Sequence, residues 1–176
     1  SQEIRSWWNI TADAMMSTNL KRRWSSGDGA SSLAKIRNAL RRGQSLSVEL
    51  SPFGTFEGLA DFRGLPLPEG LDLKGVTVRD ANLSGASIKS AWIERCRFEN
   101  VRLDKATLVG VADRGNIFRG CTFLGTSFVG AALGYLGSEF TDCTCLLLVD
   151  TLALCARAEV SSAICLTVVP KGVDFN

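Results

Sequence analysis

The stretch "VTVRDANLSGASIKSAWIERCRFENVRLDKATL", residues 76–108, places a large apolar residue at every fifth position: Val78, Leu83, Ile88, Ile93, Phe98, Leu103 and Leu108. A helix turns every 3.6 residues, so a stripe at every fifth residue drifts around its surface. A straight strand alternates its faces with period two, and an odd spacing throws successive large residues to opposite sides. A chain that turns a corner once per five residues satisfies the spacing. Each block then supplies one short side, whose third residue points inward, whose first residue fills the space beside it, and whose second and fourth residues face water.

Cut in fives from Leu71, the chain reads LDLKG VTVRD ANLSG ASIKS AWIER CRFEN VRLDK ATLVG VADRG NIFRG CTFLG TSFVG AALGY. The third slot is Leu, Val, Ile or Phe in twelve of the thirteen blocks, with Asp113 the exception, and so regular a column marks an internal repeat. The first slot is compact, holding mostly Ala, Val, Cys and Thr. The fifth is Gly at 75, 85, 110, 115, 120, 125 and 130, as corners demand, because glycine accepts dihedrals that a side chain disfavours. The outward slots carry Lys74, Arg79, Asn82, Ser84, Lys89, Glu94, Arg97, Glu99, Arg102, Asp104, Arg114 and Arg119.

The blocks "ANLSG", "ASIKS", "ATLVG" and "CTFLG", with "ADFRG" at 60–64, resemble the A-(D/N)-L-x-x consensus of pentapeptide-repeat proteins. The resemblance covers at least residues 71–135. It implies an all-β solenoid, a right-handed quadrilateral parallel β-helix of four blocks per twenty-residue coil, with coils stacked through backbone hydrogen bonds at roughly the 4.8 Å of paired strands.

Three segments are expected: a helical segment or cap over 1–45, the β-helix over 46–150, and a cap or continuation over 151–176. Leu33, Ile36 and Leu40 share one helix face, and two amphipathic helices fit residues 2–24 and 32–42, joined by a flexible "SSGDGASS" at 25–32. Upstream of the regular blocks, "GTFEG LADFRG LPLPEG" keeps glycine corners on longer sides, as an irregular starting coil would. After Leu133 the phase slips by two, with the extra residues in "GYLG" as a protruding loop and Phe140 and Cys145 in central slots. "DTLALCARAEVSS" reads as a short helix opened by Asp150, followed by a strand "AICLTVV" stopped at Pro170. Asp113 and Asn116 occupy inward slots, where a bulge or corner with side chains bonded to nearby backbone is expected and a polar pocket is the alternative.

The charge is nearly balanced, with 20 Lys+Arg against 18 Asp+Glu for a net +2, too little for a strong electrostatic hold on nucleic acid. Residues 1–45 carry +5 and the remainder −3. Six cysteines suggest no disulfide framework, since the chain has apolar residues enough for a core, and Cys96 and Cys121 sit in compact lattice slots as small core hydrophobes. With no histidine and no ligand-like cysteine spacing, no metal site or cofactor is expected, nor a Ser/His or Cys/His nucleophile, and the chain is not expected to be an enzyme. No window approaches the ~20 apolar residues of a membrane span. The thiols point to a reducing, cytoplasmic setting.

The remaining class is a scaffold that binds another protein. Trp7, Trp8 and Trp24 beside "KRR" either cap the first coil or form a partner-binding face, and Trp92, in an outward slot among polar neighbours, is the other contact candidate. Specific nucleic-acid binding is not expected, and the oligomeric state stays open. Two further roles follow from the family resemblance. Some pentapeptide-repeat proteins protect DNA gyrase by imitating duplex DNA, which the scattered arginines here disfavour. Bacterial effector ubiquitin ligases of HECT-like type carry a similar β-helix ahead of a catalytic half. A first residue of Ser, not Met, fits a fragment of such a longer chain, secreted into a host cell.

Overall fold

The structure is a computed structural model that describes residues 15–127, 137–148, 159–160 and 165–169. Two helices precede a β-solenoid of about four turns. The coil repeat is visible in the strand register: Asp72 pairs with Trp92, and Trp92 with Ala112, each twenty residues on and in parallel. On the adjoining side Val78 pairs with Phe98 and Phe98 with Phe118. The expected shift of phase is present, since Phe140 pairs with Phe118 and Cys145 with Phe123, two residues beyond the regular step. Of the expected "GYLG" loop only Gly137 is among the described residues.

The third-slot residues form the core. Phe98, Phe118 and Phe140 stack with centroids 4.8 and 4.7 Å apart and planes within 5° of parallel, so successive coils repeat one ring position. Leu103 and Phe123, both buried, occupy neighbouring coils, with the Leu103 N–H donating to the Thr122 carbonyl at 2.8 Å. From Gly75 to Gly125 every fifth residue has a positive φ, and this includes Asp80, Ser90, Arg95, Asn100 and Lys105. The lattice therefore imposes the left-handed corner even where no glycine relieves it.

The amino-terminal end differs from expectation in one respect. A first helix, α1, covers residues 15–22, and a second, α2, runs Gly27–Arg41, so most of "SSGDGASS" is helix and not a flexible joint. Extended Ser26 precedes it, and Asp28 in its first turn and Arg41 in its last complement the helix dipole. The glycine at 29 serves close approach: a Cβ there would lie 2.1 Å from the Arg23 carbonyl oxygen. Ile36 and Leu40 are buried, with Leu33 packed against the same core, as one helix face. Helix α2 thus lids the open first coil, and Leu46 already bridges to Val78.

The starting coil is irregular, as its longer sides suggest. It begins with a hairpin in which Thr55–Phe56 pairs antiparallel with Leu59–Asp61, and Ala60 then pairs with Ala81 at a step of 21. Downstream, Glu159–Val160 is a strand paired with Glu139 and Phe140, and Cys165–Val169 pairs with Thr144–Leu148. The strand expected at 163–169 is present over Cys165–Val169, whereas the helix expected over "DTLALCARAEVSS" is corrected at 159–160, where the twenty-residue register from 139 continues. The rest of that segment lies outside the described residues.

Candidate interaction face

One side of the solenoid is a three-stranded parallel sheet of Asp72–Lys74, Trp92–Glu94 and Ala112–Arg114. Leu73, Ile93 and Asp113 are buried within, which leaves the residues on either side of each facing out. Trp92 is half-buried in its outward slot, and its indole Nε1 donates to Glu94 Oε2 at 3.3 Å. Arg95 also contacts that carboxylate at 2.9 Å. The indole hydrogen bond first, then the Arg95 guanidinium, holds the Glu94 carboxyl below the usual carboxylate range. A held indole on a stiff sheet, with only Ala112 on the next coil, is a pre-positioned apolar step.

The neighbouring side carries a charge ladder. Glu99 pairs with Arg79 at 2.7 Å and with Arg97 at 3.3 Å. Its register partner on the next coil is Arg119, and Glu94 has Arg114 in the same relation. These ladders were not singled out from the sequence, although the twenty-residue step alone places each acid between two cations.

Trp24 is not a surface contact. It is buried, its Nε1 donates to the Arg63 carbonyl at 2.8 Å, and Phe53 meets its ring edge-on at 4.9 Å. Beside it lies a cluster that the sequence did not announce. Arg23 grips both oxygens of buried Asp61, at 2.8 and 2.7 Å, and Arg63 binds the same carboxylate at 3.0 Å. The Arg23 guanidinium lies 3.9 Å from the Phe53 centroid, and that of Arg63 lies 3.3 Å from Phe56. Burial alone would raise the Asp61 pKa, but the hydrogen bonds from Arg23 and Arg63 outweigh it and lower it far below the usual range. Asn82, expected to face water, is buried: it stands in register beside Asp61, and its Oδ1 accepts from the Ser84 N–H. Part of "KRRW" is therefore spent on closing the solenoid. Trp7 and Trp8 lie outside the described residues.

The inward polar pair forms no bulge, since Ala112–Arg114 stays in register with Trp92–Glu94. Asn116 Oδ1 accepts from the Cys96 N–H at 2.8 Å, its Nδ2 donates to the Ile93 carbonyl at 2.8 Å, and the same nitrogen approaches Asp113 at 3.4 Å. Side chain to backbone bonding is thus present, as expected, but across coils. Cys96 and Cys121 are buried members of the core, as their compact slots suggested, and with Cys143 they extend this pattern: all three are free, buried and directed at the carbonyls of Leu73, Phe98 and Phe118. Contact with Cys143 and burial push the Cys121 thiol up, so it is not a reactive thiolate. Near the hairpin an open cleft of about 440 Å³ is lined by Ser45, Ser47, Glu49, Thr77, Arg79 and Asp80 among others. Among the described residues no group of three or more His, Cys, Asp or Glu could hold a metal, and no described helix is long and apolar enough to cross a membrane.

The family described as Pentapeptide repeats (8 copies) matches residues 81–112. A solved structure, the crystal structure of a pentapeptide repeat protein (Rfr23) from the cyanobacterium Cyanothece 51142, is similar at 18% identity and TM-score 0.44, over 66% of this chain and 93% of that one. No curated protein matches the sequence.

Proposed function

We propose that this chain, a pentapeptide-repeat protein, is a non-catalytic scaffold that binds another protein through the sheet face carrying Trp92. The observation that carries the reading is the Trp92–Glu94 hydrogen bond on a three-stranded sheet, which fixes a large aromatic surface in an outward slot before any partner arrives. Tryptophan is among the residues that contribute most to protein interfaces, and a pre-ordered ring loses little conformational entropy on binding. The polar and thiol groups in the core slots are occupied in bonding the corners of adjacent coils, which leaves the outer faces for function. Recruitment on behalf of a larger effector of ubiquitin-ligase type is the same binding role within a longer chain. Gyrase protection by DNA imitation fits poorly with Arg79, Arg95, Arg97, Arg114 and Arg119 on the outward surface.

The test is affinity capture with immobilised wild-type protein and Trp92→Ala, each checked for an intact melting transition. The expected result is a partner retained by the wild type and lost by the variant. Equal retention by both would remove Trp92 from the interface.

A further inference from the structure

We infer that the corner beside the Trp92 face receives an acidic, extended segment of the partner protein, anchored by Arg114 and Arg119; this rests on the scaffold reading and names the chemistry of its partner. Two outward columns alternate in sign along the solenoid axis. Lys74, Glu94 and Arg114 stand in register on three coils, and Arg79, Glu99 and Arg119 do so on the next side. Each central acid is engaged by groups on its own coil or the one before. Glu94 takes Trp92 Nε1 and Arg95, and Glu99 takes Arg79 and Arg97. Arg114 and Arg119 are left exposed, with no ion pair among the described residues, and beyond Arg119 the next register position is Thr141, not an acid.

The corner between them is bare. Gly115 turns the corner after Arg114 without a side chain, half-exposed Ile117 lies between that corner and Arg119, and a Cβ at 115 would meet only the Arg95 Cγ, at 3.8 Å. Arg95 is itself highly exposed, at 77%. Arg114 thus lies on the sheet side that carries Trp92, in register with Glu94, and Arg119 on the adjoining side, while Arg95 at the preceding corner is held by Glu94. Arginine suits carboxylates through its planar, two-pronged donors. The same surface is unsuited to a nucleic-acid backbone, whose regular phosphates would be laid over Glu94 and Glu99 as well as over the arginines. An extended peptide can alternate acidic side chains toward the arginines with an apolar one toward Trp92.

The experiment measures fluorescence anisotropy of a labelled acidic peptide of repeating Asp-Phe-Glu-Gly against the whole chain, in low and in physiological salt. Binding is expected to weaken with salt, and to fall by about tenfold or more when Arg114→Glu and Arg119→Glu are combined, because like charge then faces the peptide. Arg114→Lys with Arg119→Lys should retain much of the binding. Lys89→Glu, an exposed change on another side, should leave it within about twofold if attraction is local. Absence of binding, an equal loss from Lys89→Glu, or indifference to the arginine reversals would overturn the proposal, as would stronger retention of duplex DNA than of the peptide. Partner capture that depends on Trp92 but not on Arg114 and Arg119 would refute the acidic segment alone and leave the scaffold reading standing.

Discussion

The Asn116 amide donates to the carbonyl of Ile93, 23 residues earlier, and so ties one coil to the corner of the coil before it. The same step recurs from Cys96 to Leu73, from Cys121 to Phe98 and from Thr126 to Leu103. After the two-residue shift it becomes 25, from Cys143 to Phe118. A first-slot residue with a donor therefore satisfies the inward carbonyl that the corner leaves behind, which a buried backbone group requires. Asn116 does more than the others, since it also accepts from the Cys96 N–H.

Asn116→Leu should accordingly cost about 2 to 4 kcal/mol, because it strands a buried donor and a buried acceptor at once. Cys121→Ser should stay close to the parent, since its hydroxyl can still reach the Phe98 carbonyl. Urea denaturation of the two variants checks both, and an Asn116→Leu protein as stable as the parent would show that the corner needs no bridge.

Leu103→Ala and Phe123→Ala should each cost roughly 2 to 5 kcal/mol, as large-to-small changes in a packed core do. Each is buried, and the two sit on adjacent coils of one side. Losses within ~0.5 kcal/mol of the parent for both, the range of surface substitutions, would contradict the placement.

Arg95→Gly should raise the melting temperature, because Arg95 holds a φ of 51° at a corner, its side chain is exposed, and an L-residue there pays about 1 kcal/mol that glycine avoids. Gly64→Ala should do the reverse and more severely. Its φ is 73°, and a Cβ would fall 2.7 Å from the Leu20 carbonyl in α1. A thermal melt that ranks the two variants in the opposite order would refute the corner argument.

Asp61 predicts a pH dependence. Its pKa is lowered in the folded chain relative to an ordinary carboxyl near 3.9, so its contribution to stability is fully present above about pH 5 and is lost as pH falls through the acid range. Asp61→Asn should be less stable than the parent at neutral pH and should lose less on acidification, with the two curves converging toward low pH. Arg23→Ala, which leaves a buried carboxylate with one arginine in place of two, should cost about 3 kcal/mol at neutral pH. Parallel pH profiles for parent and Asp61→Asn would contradict the role of the carboxylate.

The coil was legible because one physical rule repeats: Val78, Phe98 and Phe118 announce a column simply by their spacing. The shift at Phe140 could be read for the same reason, since only one phase restores the column. The cap was less legible. Gly27 and Gly29 suggest a flexible joint on composition, but tertiary packing of the helix start against Arg23 decides otherwise. Asp61, Arg23 and Arg63 come together across some forty residues of an irregular coil, where no period relates one position to another. Trp92 was placed by its slot, while Trp24 had no slot to place it and is buried by the cap. The step of 23 residues in the inward hydrogen bonds was latent in the lattice, but it depends on which carbonyl a corner leaves unpaired, a property of the backbone and not of residue type.

The proposed function places partner binding on the sheet face that carries Trp92. Once a partner has been captured, that face can be probed by a benzophenone amino acid in place of Ala112, next to Trp92 in register, compared with the same group in place of Asp104 on another side. Irradiation should produce a covalent adduct with the partner from position 112 and little from position 104, with both proteins melting as the parent does. An adduct from position 104 and none from position 112 would place the interface elsewhere on the solenoid and rule out the Trp92 face.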